Sequence, residues 1–312
     1  MQVYRGIPRR AQHSVVLTIG NFDGVHRGHR ALLAKLTAKA RELDLPAAVM
    51  TFEPNPREFF APQSAPARLT SLREKLQLLA ECGVNQIYVC RFDARFAAWS
   101  AEEFIERIVG GLGVRHLIIG DDFRFGKGRS GDFAMLQRAG TEHGFGVEAM
   151  ETLVHEGERV SSSAVREALD EGDLEHATRL LGRPYCISGR VIHGDKIGRQ
   201  IGFATANIQL KRAKAPLTGI FVVTVEGVGE CSFEGVASLG VRPTVSSAGR
   251  HTLEAYIFDF SGDLYRAHLR VNFLHKLRDE AKFDTLEALT AQIARDVEDT
   301  KNYFAAAKRG TA

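Results

Sequence analysis

Val15-Val16-Leu17-Thr18-Ile19-Gly20-Asn21-Phe22-Asp23-Gly24-Val25-His26-Arg27-Gly28-His29 decides how the first half of the chain is read. The opening run, apolar or β-branched throughout, predicts a strand covered on both faces. A glycine-rich loop follows, and then Leu32, Leu33, Leu36 and Leu43 recur at helical spacing over His29 to Leu43. Strand, loop and helix in that order form the opening unit of an open α/β sheet, whose ligand crevice lies beyond the strand's carboxyl end. His26 and His29 sit there, at a helix start that favours anions. Imidazole N–H groups and backbone amides at such a place would hold phosphate oxygens and stabilise charge as a bond breaks. His-x-x-His also has the spacing of a metal pair, but no carboxylate or cysteine at ligand spacing supports one.

Outward from this stretch, Ala47 to Phe52 is a second strand, ended by Pro54 and Pro56. Ser71-Leu72-Arg73-Glu74 and Ser100-Ala101-Glu102-Glu103 are capping boxes that each open a helix. Gln86 to Val89, His116 to Ile119 and Gly146 to Met150 supply further strands. Unalternating strands between helices predict a doubly wound α/β domain with a parallel sheet. After Leu181-Gly182-Arg183-Pro184 the pattern turns to β: Cys186 to Ile192, Gly219 to Val225, Val236 to Leu239, Leu253 to Phe258 and His268 to Phe273. Short strands between glycine-rich turns predict a small antiparallel barrel. A helix from about Thr285 to Phe304 follows, introduced by Asp284 with Glu287 three residues on. The expected domains are 1–183 and 184–312.

A length of 312 residues suits two domains, and 44% hydrophobic with 25% charged residues excludes disordered and fibrous classes. Lys and Arg number 41 against 38 Asp and Glu, a net charge of +3 with no basic block. That balance speaks against nucleic acid as the main partner and suits small anions. No apolar run approaches the ~18 residues of a membrane span. Met1 to Arg10 is basic and is followed by Ala11-Gln12-His13, not by an apolar signal core. Cys82, Cys90, Cys186 and Cys231 are scattered without a C-x-x-C pair, the pattern of reduced packing thiols in a cytoplasm.

Four more places carry chemistry. Gly120-Asp121-Asp122-Phe123-Arg124-Phe125-Gly126-Lys127-Gly128-Arg129 fails the P-loop pattern, because its glycine spacing is one too long and Gly128 stands at the Ser/Thr position. It reads equally as a solvated turn or as a basic loop over an anion. Ser161-Ser162-Ser163-Ala164-Val165-Arg166 opens a helix with three hydroxyls and a guanidinium one turn in. Gly194 to Asn207 places glycines around Lys196 and Arg199, and Thr205 and Asn207 would point the same way from extended backbone, offering oxygens to Mg2+ or phosphate. Strand alternation sets Glu254 with Thr252 and Tyr256, opposite Leu253, Ala255 and Ile257.

In order along the chain, Gly20 to His29, Thr51-Phe52-Glu53-Pro54, Leu69 to Lys75, Asp122 to Gly126 and Ser162-Ser163 with Arg166 resemble the HxGH nucleotidyltransferases. Specifically, the first half resembles the FMN adenylyltransferase half of bacterial bifunctional riboflavin kinase/FAD synthetases. Gly194 to Asn207, Gly235 to Thr244, Leu253-Glu254, Asp263-Leu264-Tyr265 and Leu277 to Phe283 resemble the riboflavin kinase fold, a six-stranded barrel. The resemblance implies phosphorylation of riboflavin to FMN and adenylylation of FMN to FAD, with Mg2+ and ATP, in the cytoplasm. It implies catalytic roles for His26, His29, Ser162, Arg166 and Glu254. ATP would meet Gly20, Phe22, Gly28 and Ser163 in the first half, and Gly194, Lys196, Gly202, Thr205 and Asn207 in the second. Flavin would meet Asn21, Asp23, Asp122, Arg242 and Arg278, and Thr205 and Asn207 would hold Mg2+. The partners implied are small molecules (riboflavin, FMN and ATP), with no nucleic acid and no membrane. Ala204 departs from the family's proline, Ser238 from its usual Asn and Arg266 from its Gly; losing the proline frees the loop by roughly 0.4–1 kcal/mol. The competing reading, a flavin-binding regulator or carrier that has lost one chemistry, draws its support from Ala204 alone.

Overall fold

The computed structural model describes residues 1–194, 202–229, 231–242 and 250–310. The chain divides into two compact units: Met1–Pro66 with Leu72–Ser161, and Ala67–Ser71 with Ser162–Ala312.

In the first unit the elements run β1 (Gln2–Arg5), β2 (Val15–Ile19), α1 (Arg27–Glu42), β3 (Ala47–Glu53), α2 (Pro56–Phe60), α3 (Leu72–Glu81), β4 (Gln86–Arg91), α4 (Ala94–Ala97), α5 (Ala101–Leu112), β5 (Val114–Gly120), α6 (Phe133–His143) and β6 (Gly146–Met150). A two-stranded ribbon, β7 (Val154–His155) and β8 (Glu158–Arg159), follows. The main sheet has the order β1-β4-β3-β2-β5-β6, and every pairing in it is parallel. Both faces are buried. Val15, Leu17 and Ile19 of β2 join the core under α5 and α6, whereas Val16 joins the core under α1 and α3 with Leu33, Leu36, Leu78 and Leu79. Each fully buried leucine there contributes about 1.5–3 kcal/mol. The chain winds from β2 outward through β3 to β4, then returns to the other side of β2 for β5, so the switch point lies between β2 and β5. The loops after those two strands, Gly20 to His26 and Asp121 to Gly126, are therefore the two that border the crevice.

The capping box at Ser100 is present in both directions, and α5 ends on left-handed Gly113. Sequence periodicity missed β1. It is short and polar, and its pairing with β4 gives it strand form. Cys90 is buried in the first core, and burial pushes its thiol up to about 12, consistent with an inert packing group.

The second unit begins with α7 (Ser162–Glu171) and α8 (Leu174–Leu181). Then come β9 (Tyr185–Ile192), β10 (Thr205–Ile208), β11 (Gly219–Val228), β12 (Cys231–Arg242), β13 (Arg250–Ile257) and β14 (His268–Arg278), closed into a barrel in the order β10-β13-β12-β11-β14-β9. Closure leaves no open edge. Five of the six strands follow the sequence pattern; β10, four residues long, is too short to announce itself. Helix α9 (Leu286–Gly310) covers part of the barrel's outer face, with Ile293 and Val297 against Val236, Tyr256 and Phe258. Its cap is Thr285, whose Oγ1 accepts the Ala288 N–H at 3.1 Å, where the sequence pointed to Asp284.

The segment Ala67–Ser71 is held inside this second unit. Arg166 Nε donates to the Ala67 carbonyl at 2.6 Å. Buried Arg212 donates through Nη1 to the Leu69 carbonyl at 3.0 Å and to the Tyr185 hydroxyl at 2.6 Å, and that hydroxyl donates to the same carbonyl. Among the described residues no helix is long and apolar enough to cross a membrane.

Candidate active sites

The loop after β2 is wound tightly. Phe22, Gly24 and Val25 have φ of +49°, +83° and +42°, a conformation that costs a bulky or β-branched residue energy. Packing over-determines it, since Phe22 and Val25 lie in the core with Leu33 and Leu36. The result brings His26 to the N-cap of α1, with extended backbone. Its Nδ1 accepts the His29 N–H at 3.3 Å, so neutral His26 carries its proton on Nε2. One turn on, the His29 ring stacks on His26 with centroids 3.7 Å apart, and Phe22 tilts against its other side at 5.0 Å. Burial, then His26, then Lys75 hold the His29 imidazole well below its ordinary value. At neutral pH the His29 ring is therefore uncharged, close to a helix N-terminus.

Gly28 leaves room for this packing, since a Cβ there would press on the His26 ring at 3.2 Å. Asn21 is exposed, and its carbonyl accepts the Thr51 hydroxyl, while Asp23 is buried at 6% exposure. Phe22 is 1% exposed, so a ligand could meet its backbone but not its ring. Across the crevice Asp122 is exposed and pairs with Arg159 of β8 at 3.0 Å. Lys127–Arg129 forms a 3₁₀ turn with Gly126 and Gly128 left-handed. Ser162, Ser163 and Arg166 begin the other unit, at the start of α7. There Arg166 commits Nε to Ala67 and Nη1 to the Ser162 carbonyl at 3.0 Å.

Two charged residues that the sequence reading did not assign, Glu74 and Lys75, are 3% and 5% exposed on α3. The available signal was a charged pair at the inward phase of a helix whose Leu78 and Leu79 are core.

The barrel carries a second constellation. Register places Asn207 opposite Glu254, and Glu254 opposite Ser238, across β10, β13 and β12. Opposed residues share a face. Leu253, Ala255, Ile257, Ala206 and Ile208 fill the interior, so the polar row lies outside it. The Thr205 hydroxyl donates to Glu254 Oε2 at 3.2 Å. Gly194 lies against the Asn207 side chain, where a Cβ would collide with its amide. Gly202 is exposed with φ +87°. Lys196 lies outside the described residues, and of Arg242 only the backbone, paired with Arg250, is described. All three nitrogens of Arg278 are engaged: Nε and Nη2 donate to the Asp296 carboxylate at 2.8 and 2.6 Å, and Nη1 donates to the Asp279 carbonyl at 2.9 Å. Among the described residues no group of three or more His, Cys, Asp or Glu could hold a metal.

Comparison with known proteins assigns the two halves separately. Residues 9–164 match the FAD synthetase family and residues 181–304 the riboflavin kinase family. The bifunctional riboflavin kinase/FMN adenylyltransferase of Escherichia coli (strain K12) is 51% identical over 99% of both chains. Its counterpart in Pseudomonas fluorescens is 52% identical over 95% of this chain and 96% of its own. A solved structure described as a macrolide-efflux protein from Streptococcus pneumoniae is 29% identical, with a TM-score of 0.82 over 96% of this chain and 99% of that one.

Proposed function

Because the chain belongs to the family of bifunctional riboflavin kinase/FMN adenylyltransferases, we propose a division of its two activities between the two constellations. The enzyme transfers a phosphoryl group from ATP to riboflavin, giving FMN and ADP, and then joins FMN to the AMP part of a second ATP, giving FAD and pyrophosphate. For function we place the boundary at 183/184. Ser162 and Arg166, at the start of α7, are then assigned to adenylyl transfer.

In adenylyl transfer an FMN phosphate oxygen attacks the α-phosphorus of ATP in line, and the bond to pyrophosphate breaks. His26 Nε2–H and the neutral His29 ring donate hydrogen bonds to the phosphates, and Ser162 and Arg166 stabilise the charge gathering on the leaving group. Gly20, Gly28 and Ser163 give the triphosphate close backbone approach, while Asn21, Asp23 and Asp122 border the flavin phosphate.

In the kinase, Glu254 takes the proton from the ribityl 5′-hydroxyl while the Thr205 hydroxyl orients its carboxylate. Thr205 and Asn207 are hard oxygen donors, and a site built on so few of them fits Mg2+, which takes most of its ligands from water and phosphate. When bound, Mg2+ neutralises charge on the transferring phosphoryl group. Gly194, Lys196 and Gly202 would border the nucleotide, and Arg242 and Arg278 the flavin, Arg278 through the N–H groups that Asp296 and Asp279 do not take. The scattered thiols support a cytoplasmic placement.

The observation that carries the two-site reading is that the histidine pair and Glu254 lie in different compact units. Riboflavin, ATP and Mg2+ incubated with the protein should yield FMN first and FAD later, followed by chromatography. A carrier would return riboflavin unchanged.

A further inference from the structure

On α3, Lys75 stands one turn before Leu78 and Leu79; on α1, His29 stands one turn before Leu32 and Leu33. All four leucines pack into the same core cluster, together with Phe22 and Val25 of the histidine loop. Lys75 and His29 thus both lie near the N-terminal ends of their helices, on the phase that each helix turns toward this shared core. Lys75 is almost fully enclosed, at 5% exposure. A lysine is seldom buried without a use for its charge. We propose that Lys75 is a positioning residue for adenylyl transfer that acts through His29.

The ammonium group adds a fixed positive charge beside an imidazole already short of water, which favours the neutral ring. A neutral His29 can stack closely on His26 and offer one N–H to a phosphate, while the cation next to it attracts the polyphosphate. The groups acting on His29 are His26 at the cap of its own helix and Lys75 from α3; Phe22, on the loop, is apolar. The inference rests on the assignment of His29 to adenylyl transfer, which His29→Ala tests separately.

Lys75→Gln and Lys75→Arg in the full-length enzyme, assayed for FAD formation from FMN against pH, provide the test, with FMN formation from riboflavin as a control for folding. Without the charge, His29 takes up a proton more readily, so the acid limb of kcat should move to higher pH by about one unit. Lys75→Arg should restore the parent limb. An acid limb unmoved in Lys75→Gln overturns the proposal, whether or not the rate falls. A rate lost equally in both variants with an unchanged limb identifies a purely structural lysine.

Discussion

The histidine loop and the Glu254 row, the two sites proposed to hold a nucleotide's phosphates, are built by opposite structural means. The loop compresses its functional groups into ten consecutive residues and forces Phe22 and Val25 into left-handed backbone that the core must stabilise. The row uses relaxed strands, and residues 47 apart in sequence, Asn207 and Glu254, meet because β10 and β13 share a register. In the first, function is a local conformation secured by packing. In the second it is a by-product of strand alignment. Mutations should therefore act differently in the two places.

The largest effect is expected at the base. Glu254→Gln keeps an acceptor oxygen but cannot take a proton, so kcat for FMN formation should fall by ~10²–10⁴ with the Michaelis constant for riboflavin little changed. Adenylylation of supplied FMN should be untouched, and a kinase turnover within twofold of the parent would remove Glu254 from the mechanism. Next comes His29→Ala, which should cost FAD formation about 10²–10³ and leave FMN formation intact. Loss of both activities in a well-folded variant would contradict two separate sites.

Two glycine substitutions sharpen the contrast. Gly194→Ala overpacks the Asn207 amide, at a cost of about 1–3 kcal/mol. Kinase kcat/KM for ATP should weaken about ten- to a hundredfold. Gly28→Ala is milder and of mixed sign. Helix α1 gains about 0.8–1 kcal/mol of propensity, yet the methyl presses on the His26 ring at 3.2 Å. Thermal unfolding should not fall while FAD formation slows a few-fold.

The smallest effect concerns acid. His29 in the first unit is held below 6.5 by burial, His26 and Lys75; His251 in the second is held below it by burial and Lys214. As pH falls through 6.5 the unfolded chain takes up protons that the folded rings refuse, so stability declines on the acid side. Melting temperatures measured from pH 8 to 5 should drift down, and His251→Gln should flatten the drift in part.

The same difference governs what can be read from sequence. The buried strand, the glycine loop and the helix spacing around His26 and His29 are contiguous, so the parallel sheet and its crevice could be read directly. The alternation that turns Glu254 away from Leu253 and Ala255 is legible too. The partners of Glu254 are not, because register across β10, β13 and β12 depends on barrel closure and no spacing encodes it. Lys75 escaped notice because a lysine on an amphipathic helix reads as solvated until its burial is known. The ion pair of Arg278 was equally hidden, because Asp296, which takes two of its nitrogens, lies on a helix 18 residues further along.

The short segment Ala67–Ser71 bears on how such a chain can be inherited. A gene ending near Ser161 would encode that segment without Arg166, Tyr185 and Arg212, whose side chains bind its carbonyls. A gene starting at Ser162 would keep a buried guanidinium at Arg212 and lose the Leu69 carbonyl that receives it, and a charged hydrogen bond of this kind contributes about 1.5–3 kcal/mol. A cut at Ser161 therefore carries a cost of that order, which new partners for Arg212 on the barrel side would have to offset.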